Sequence, residues 1–416
     1  MVIWLIAAIT IVLILIRPWR VSEAVWACAG AALLVVVRIL SPAEALVAVG
    51  RGTDVYLFLA GMMLLAELAR REGFFDWIAA EAIHLAHGSR TRLFAIVYAV
   101  GTLVTIFLSN DATAVVLTPA VLAAVKKARA TPLPYLLTCA LIANAASFVL
   151  PISNPANLVV YGSAIPPLAV WLKAFAVPSL ISIFVTYYVL RLTMRSHLHG
   201  AIAREVDQLD LSRSGTLAAF GIAGTGVVLI LASAFGFDLG LPTFLAACAV
   251  TAVVAIKDRG APLGIVKHIS WSVLFLVAGL FVLVEGVDRA GALPFIRGLL
   301  QRSVNLGPTP GSMAAALVVG LSANIANNLP IGLIAGSVLR TASVPDLLRN
   351  AVLIAVDLGP NLSVTGSLAT ILWLVALRRE GEDITFLQFL RFGVLAMVPA
   401  LVFSVLALQL GSRAGG

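Results

Sequence analysis

Charge is what this chain has least of. Asp, Glu, Lys and Arg make up 12% of its 416 residues, about half of the roughly 25% typical of soluble domains. Apolar residues fill 61%, which excludes an ordinary soluble fold. Cysteine is scarce too. Cys28, Cys139 and Cys248 all fall inside apolar stretches without ligand spacing, so they read as packing residues and not as a thiolate centre. The five histidines, His84, His87, His197, His199 and His268, fall in loops or amphipathic segments with no carboxylate at ligand spacing. They read as solvated faces. No nucleophile–base pair, metal cluster or phosphate-binding glycine loop is present, which argues against an enzyme and against built-in ATP hydrolysis.

What is present is a succession of apolar runs. Those at 21–39, 217–235 and 392–410 are long enough to cross a bilayer as helices, and Val2–Ile16 is slightly short. The N-terminus lacks a cleavage-site pattern and continues into Arg17, so it is expected to be kept as a first span. The net charge of +8 does not indicate nucleic acid, because the basic residues stand at the ends of apolar runs, as in Arg17-Pro18-Trp19-Arg20 and Arg378-Arg379. That is how topology signals are placed. The chain reads as an all-α polytopic membrane protein in a lipid bilayer.

Self-comparison adds an internal repeat. A shift of 218 residues lays Gly61 on Gly279, Glu67 on Glu285, Arg71 on Arg289, Gly73 on Gly291 and Asn110 on Asn328. A shift of 204 lays Asn157-Leu158-x-Val160-x-Gly162-Ser163 on Asn361-Leu362-x-Val364-x-Gly366-Ser367. An ordered series of this kind predicts two homologous membrane repeats, 1–195 and 214–416, joined by a polar cytoplasmic linker at 196–213.

Charge orients them. With Arg17 to Arg20 inside, residues 21–39 run outward and 55–69 return. The stretch 92–127 is too long for one span of a bilayer about 30 Å thick. A re-entrant hairpin tipped at Asn110 keeps Arg90, Arg92, Lys126 and Lys127 together inside. The second repeat then enters inverted, its hairpin at about 312–339 coming from outside with its tip near Asn328. This assignment puts 19 Lys and Arg inside and 9 outside, in line with the positive-inside rule. It gives about ten transmembrane helices, two re-entrant hairpins, two broken helices and external termini. Glu67 with Arg71 and Glu285 with Arg289 have the four-residue spacing of intrahelical ion pairs.

Each N-L-x-V-x-G-S stretch interrupts a span. Pro151, Pro155 and Pro360 remove backbone donors, and Gly162, Gly359 and Gly366 permit unwinding. Irregular backbone at membrane depth is tolerated only inside protein or against a cavity, and paired broken helices mark a transporter's midplane site. The candidate substrate-binding residues are Ser109, Asn110, Thr113, Ser153, Asn154, Asn157, Asn327, Asn328, Asn361, Ser363 and Thr365, with Asn324 nearby. Asp111 and Asp357 are intramembrane carboxylates, costly and therefore candidates for proton coupling. No Lys or Arg stands among them. Amides and hydroxyls with two carboxylates suit a neutral, hydroxyl-rich molecule or a small cation. An anion would be expected to meet a cation or several helix N-termini.

The stretches FLSNDATAVVLTP (107–119), SANIANNLP (322–330) and DLGPNLSVTGSLATILWL (357–374) resemble the hallmark segments of arsenite/antimonite efflux permeases of the ion transporter superfamily. The resemblance covers nearly the whole chain. It implies export of trivalent arsenic or antimony hydroxide across the inner (plasma) membrane in exchange for protons, with a soluble ATPase as a partner in some members. Arsenous acid is neutral and carries three hydroxyls, which agrees with the residues above. Carboxylate transporters of the superfamily share Ser109-Asn110, but they carry Ser-Asn-Thr at both tips, where this chain has Asp111 and Leu329. A sodium/proton antiporter would also suit two Asp and amides. A membrane scaffold would have no need of paired broken helices.

Overall fold

The structure, a computed structural model, describes residues 2–203, 209–257 and 261–413. Among the described residues the chain is helical, with one isolated β-bridge between Ser89 and Ala201. Helices of seven or more residues are α1 (Val2–Ile16), α2 (Glu23–Val36), α3 (Pro42–Gly50), α4 (Thr53–Arg71), α5 (Phe74–Leu85), α6 (Arg90–Leu108), α7 (Thr118–Lys127), α8 (Leu133–Ala145), α9 (Pro155–Tyr161) and α10 (Leu168–Thr193). The second half holds α11 (Arg213–Ala234), α12 (Gly240–Lys257), α13 (Ala261–His268), α14 (Ser272–Arg289), α15 (Ala292–Asn305), α16 (Pro308–Ala326), α17 (Asn328–Thr341), α18 (Asp346–Leu358), α19 (Leu368–Arg379) and α20 (Phe386–Arg413). Five of these are long and apolar enough to cross a membrane alone, or six if α3 and α4, bent by 53°, form one span. Four more apolar helices are shorter. The linker expected at 196–213 opens with a short helix, Arg195–Leu198, and its residues 204–208 lie outside the described residues. Just before them Ile202 N–H donates to Gly88 and Ala203 N–H to Ala128, tying this end to the turns before α6 and after α7.

Two features stand at the 218-residue spacing expected from the sequence. α6 ends at Leu108 and α16 at Ala326, and 326 − 108 = 218; Gly73 and Gly291 are both left-handed residues capping the next helix. Packing crosses between the halves. α4 lies on α12, where a Cβ on Gly61 would stand 2.9 Å from the backbone of Thr243 and Phe244. Its counterpart Gly279 brings α14 against α2, 2.7 Å from Ala27. Without a hydrophobic drive between helices in lipid, such small residues set the closest approaches. A second packed group joins α10 with α20, α16 with α18, and α9 with α17.

Charged ends gather on two sides. Arg51 reaches Glu285 at 2.6 Å and Arg289 pairs with Glu44, both joining the α3–α4 region to α14. At the other end Lys126 pairs with Glu382 at 2.9 Å. Arg289 also stands 4.0 Å from Glu285, at the expected four-residue spacing, whereas Glu67 is held by Arg70, three residues on. Ser41 and Glu44 form a capping box on α3, and the Ser41 backbone N–H and hydroxyl, then Arg289, hold the Glu44 carboxyl down to about 2.

Candidate functional site

Four helix breaks meet inside the protein. The first follows α6, where Ser109 takes φ +113°, rare for a residue with a side chain, and its hydroxyl caps the next helical turn through Ala112 N–H. Asn327 does the same after α16, with φ +70° and its side-chain oxygen accepting from Leu329 N–H. Asn154 caps α9 through Ala156 N–H at 2.9 Å, and Ser367 caps α19 through Thr370 N–H at 3.1 Å. Four new helices therefore start at one place, each behind a Ser or Asn. Non-glycine backbone at positive φ concentrates where surrounding structure compels it, often at functional sites. Past the first tip Pro119 has no N–H to give, and Thr113–Leu117 widens into a π turn.

Between the four starts lies a small cavity of about 10 Å³, lined by Leu59, Asn110, Asp111, Asn154, Pro155, Val273, Asn328, Leu329, Leu368 and Ala369. No Lys or Arg lines it. Asn110 and Asn328 are each 2% exposed, and the Oδ1 of each is buried without a hydrogen-bond partner. Asn154 Nδ2 donates to Asp357 Oδ1 at 2.8 Å, so the second carboxylate joins the site through the amide that caps α9. Of the sequence-predicted residues, the structure thus gathers Asn110, Asp111, Asn154 and Asn328 at the cavity and Asp357 behind Asn154.

The other candidates stitch the breaks together. Asn324 accepts from the Ser363 N–H and hydroxyl, Thr365 donates to the Asn324 carbonyl, and Asn327 Nδ2 reaches the Thr365 carbonyl. That set bonds the α16 end to the second broken stretch. Ser153 donates to the Ile106 carbonyl, where 106 + 218 = 324, and Asn157 Nδ2 donates to the Ser147 carbonyl at 2.9 Å. Thr113 and Thr105 share a hydrogen bond of 2.8 Å across the first tip.

Asn361 is bonded at both ends of its amide. Its Nδ2 donates to the Leu141 carbonyl at 2.8 Å, and its Oδ1 accepts from Asn144 Nδ2 at 3.0 Å. Asn144 stands one residue before the end of α8, as Asp357 stands one before the end of α18. Each therefore reaches from one half to the broken stretch of the other. Sequence reasoning missed Asn144, although a shift of 213 residues lays it on Asp357. Asn361→Ala should cost about 1–3 kcal/mol of stability, because buried polar groups lose their partner. Thermal unfolding in detergent, run beside transport, checks this. A variant of unchanged stability with weakened substrate affinity would return Asn361 to the substrate set.

An all-helical membrane chain whose broken helices converge on a buried polar cavity is a membrane transporter. The chain belongs to the citrate transporter family, whose model matches residues 11–356. It is similar to the arsenical pump membrane protein of Escherichia coli strain K12, 24% identical over 427 residues and covering 97% of each chain. Another Escherichia coli arsenical pump membrane protein is 25% identical over 365 residues, 84% of each. These near full-length matches bear out the resemblance read from the three hallmark stretches. An uncharacterized transporter of Mycobacterium tuberculosis is 24% identical and covers 96% of each chain. Among solved structures, the YdaH transporter of Alcanivorax borkumensis shares the fold, with a TM-score of 0.57 at 14% identity over 89% of this chain and 88% of that one.

Proposed function

We propose that the protein exports trivalent arsenic or antimony hydroxide in exchange for protons, by alternating access between two inverted repeats (1–195 and 214–416). It would act in the inner membrane, with a soluble ATPase as an optional partner. The observation that carries this reading is the charge balance of the cavity. Each helix N-terminus contributes roughly half a positive charge, so four starts amount to about +2. Asp111 and Asp357, when ionised, offset that to about zero. Four helix N-termini by themselves would suit an anion; the two aspartates, when both are charged, offset them, and the site then suits a neutral solute.

Asn110 and Asn328 line the cavity, and the Oδ1 of each is an acceptor without a partner. They suit a solute that donates hydroxyl hydrogens, as arsenous acid does. A carboxylate accepts such a hydrogen more strongly than the protonated carboxyl does, so proton binding and solute binding would oppose one another at one site. Such opposition is the requirement for exchange. The family's name favours citrate as the second reading. A tricarboxylate would have to lie beside Asp111 and Asp357 with no guanidinium or ammonium to meet it.

Asn110→Ala and Asn328→Ala should each weaken arsenite transport up to about tenfold, the loss of one net hydrogen bond of 0.5–1.5 kcal/mol. Everted vesicles loaded under a pH gradient, supplied in turn with arsenite, sodium or citrate, measure it. Accumulation of citrate with none of arsenite would replace the arsenite reading.

A further inference from the structure

A second cavity of about 360 Å³ opens on the side where Arg51 meets Glu285. Four helices, α4, α9, α14 and α17, line both this cavity and the polar site, at positions displaced along each. On α4 the lining moves from Leu59 to Val55, and on α9 from Asn154 and Pro155 to Leu158 and Val159. On α17 it moves from Leu329 to Leu333 and Ser337, and on α14 from Val273 to Phe281 and Glu285. On α4, α9 and α17 four residues are about one helical turn. All four displacements point to the face that the charge distribution assigns to the outside. The cavity on the opposite face reaches only to Ala120 on α7, nine residues beyond Asp111.

We propose that the cavity beside Arg51 and Glu285 is the external vestibule of the transport path, and that Val55, Leu59, Leu158, Leu329 and Leu333 form an apolar gate between it and the polar site. The assignment deepens the export reading above and rests on it for the identity of the solute. All five gate residues are at most 6% exposed; on α17 the turn between the two cavities holds only Pro330, Ile331 and Gly332, and on α4 its one polar side chain is Tyr56, whose hydroxyl donates to the Val49 carbonyl. Apolar constrictions exclude water and ions by dewetting. A small neutral hydroxide passes such a barrier more cheaply than a hydrated cation or a carboxylate, whose charge must be desolvated. Leu329 occupies the repeat position of Asp111, 329 − 111 = 218. The outer gate is thus closed by a leucine at the place where the other tip carries a carboxylate.

The test uses the full chain with Cys28, Cys139 and Cys248 replaced, in right-side-out and everted vesicles, and a membrane-impermeant methanethiosulfonate reagent. Ser337→Cys should label rapidly from outside only. Leu329→Cys should label at least about tenfold more slowly, because the reagent must wait for a local opening. Adding Leu333→Asn, or Leu158→Asn where the first fails to fold, should wet the gate and bring Leu329→Cys close to the Ser337→Cys rate. Labelling of Ser337→Cys from the inner side only, or equal rates at 329 and 337 with Leu333 intact, overturns the proposal. Labelling involves no substrate, so it stands or falls independently of whether arsenite is the cargo.

Discussion

Asp111→Asn and Asp357→Asn should each abolish uphill accumulation of arsenite under a pH gradient, lowering it at least about tenfold, equivalent to 1.4 kcal/mol of lost coupling. Arsenous acid carries no charge, so its accumulation must draw on a second species that moves. The two carboxylates sit where that species would be held. Asp111 lines the cavity at the first tip, and Asp357 accepts from Asn154 behind it. Burial favours the protonated form of a carboxyl, and hydrogen bonds from amides favour the ion. A change of access that alters either can therefore load or release a proton. Asparagine keeps the shape and one acceptor but cannot ionise. Exchange of labelled for unlabelled arsenite without a gradient should survive better than net transport. Asp357→Asn should retain the bond from Asn154 Nδ2, so its loss of coupling should come without unfolding. Both variants concentrating arsenite with wild-type pH dependence would remove the aspartates as proton carriers and make sodium the next ion to test.

Gly336→Ala should damage the protein more than any cavity-lining amide variant. α17 crosses α9 so closely that a Cβ on Gly336 would lie 2.5 Å from the Val160 carbonyl oxygen and 2.9 Å from that of Val159. Both obstacles are backbone and cannot rotate away. Overpacking of this kind costs about 1–3 kcal/mol or more, and relief requires α17 to move off α9. That movement would displace Asn328 from Asn154. Gly224→Ala is the matched control. It lies within α11 with nothing inside 4 Å of its Cβ, and alanine there should be neutral or stabilising by up to about 1 kcal/mol. Thermal unfolding of purified protein and arsenite exchange report the contrast. Equal stability and exchange in the two variants would refute the close crossing.

The membrane class, the helical content and the positions of the four helix breaks were legible in the residues themselves. Those features are local. Apolar length sets a span, and Ser109, Asn154, Asn327 and Ser367 each offer an oxygen to the turn that follows. Pro119, Pro155 and Pro360 withhold backbone donors at fixed places in the chain. The candidate polar residues were legible as a set for the same reason, since an Asp or Asn inside an apolar run has no local explanation. What each one touches was not. Asn154 meets Asp357 across 203 residues, and Asn144 meets Asn361 across 217. Asn361 and Asn328 look alike as sequence, yet the first is held by a backbone carbonyl and an amide while the second lines the cavity with its Oδ1 unpartnered. The vestibule and its apolar gate left no sequence signal. In lipid a leucine facing the bilayer and one facing a path are equally apolar, so no amphipathic pattern separates them. Only the crossing of α4, α9, α14 and α17 decides which leucines stand between water and the polar site.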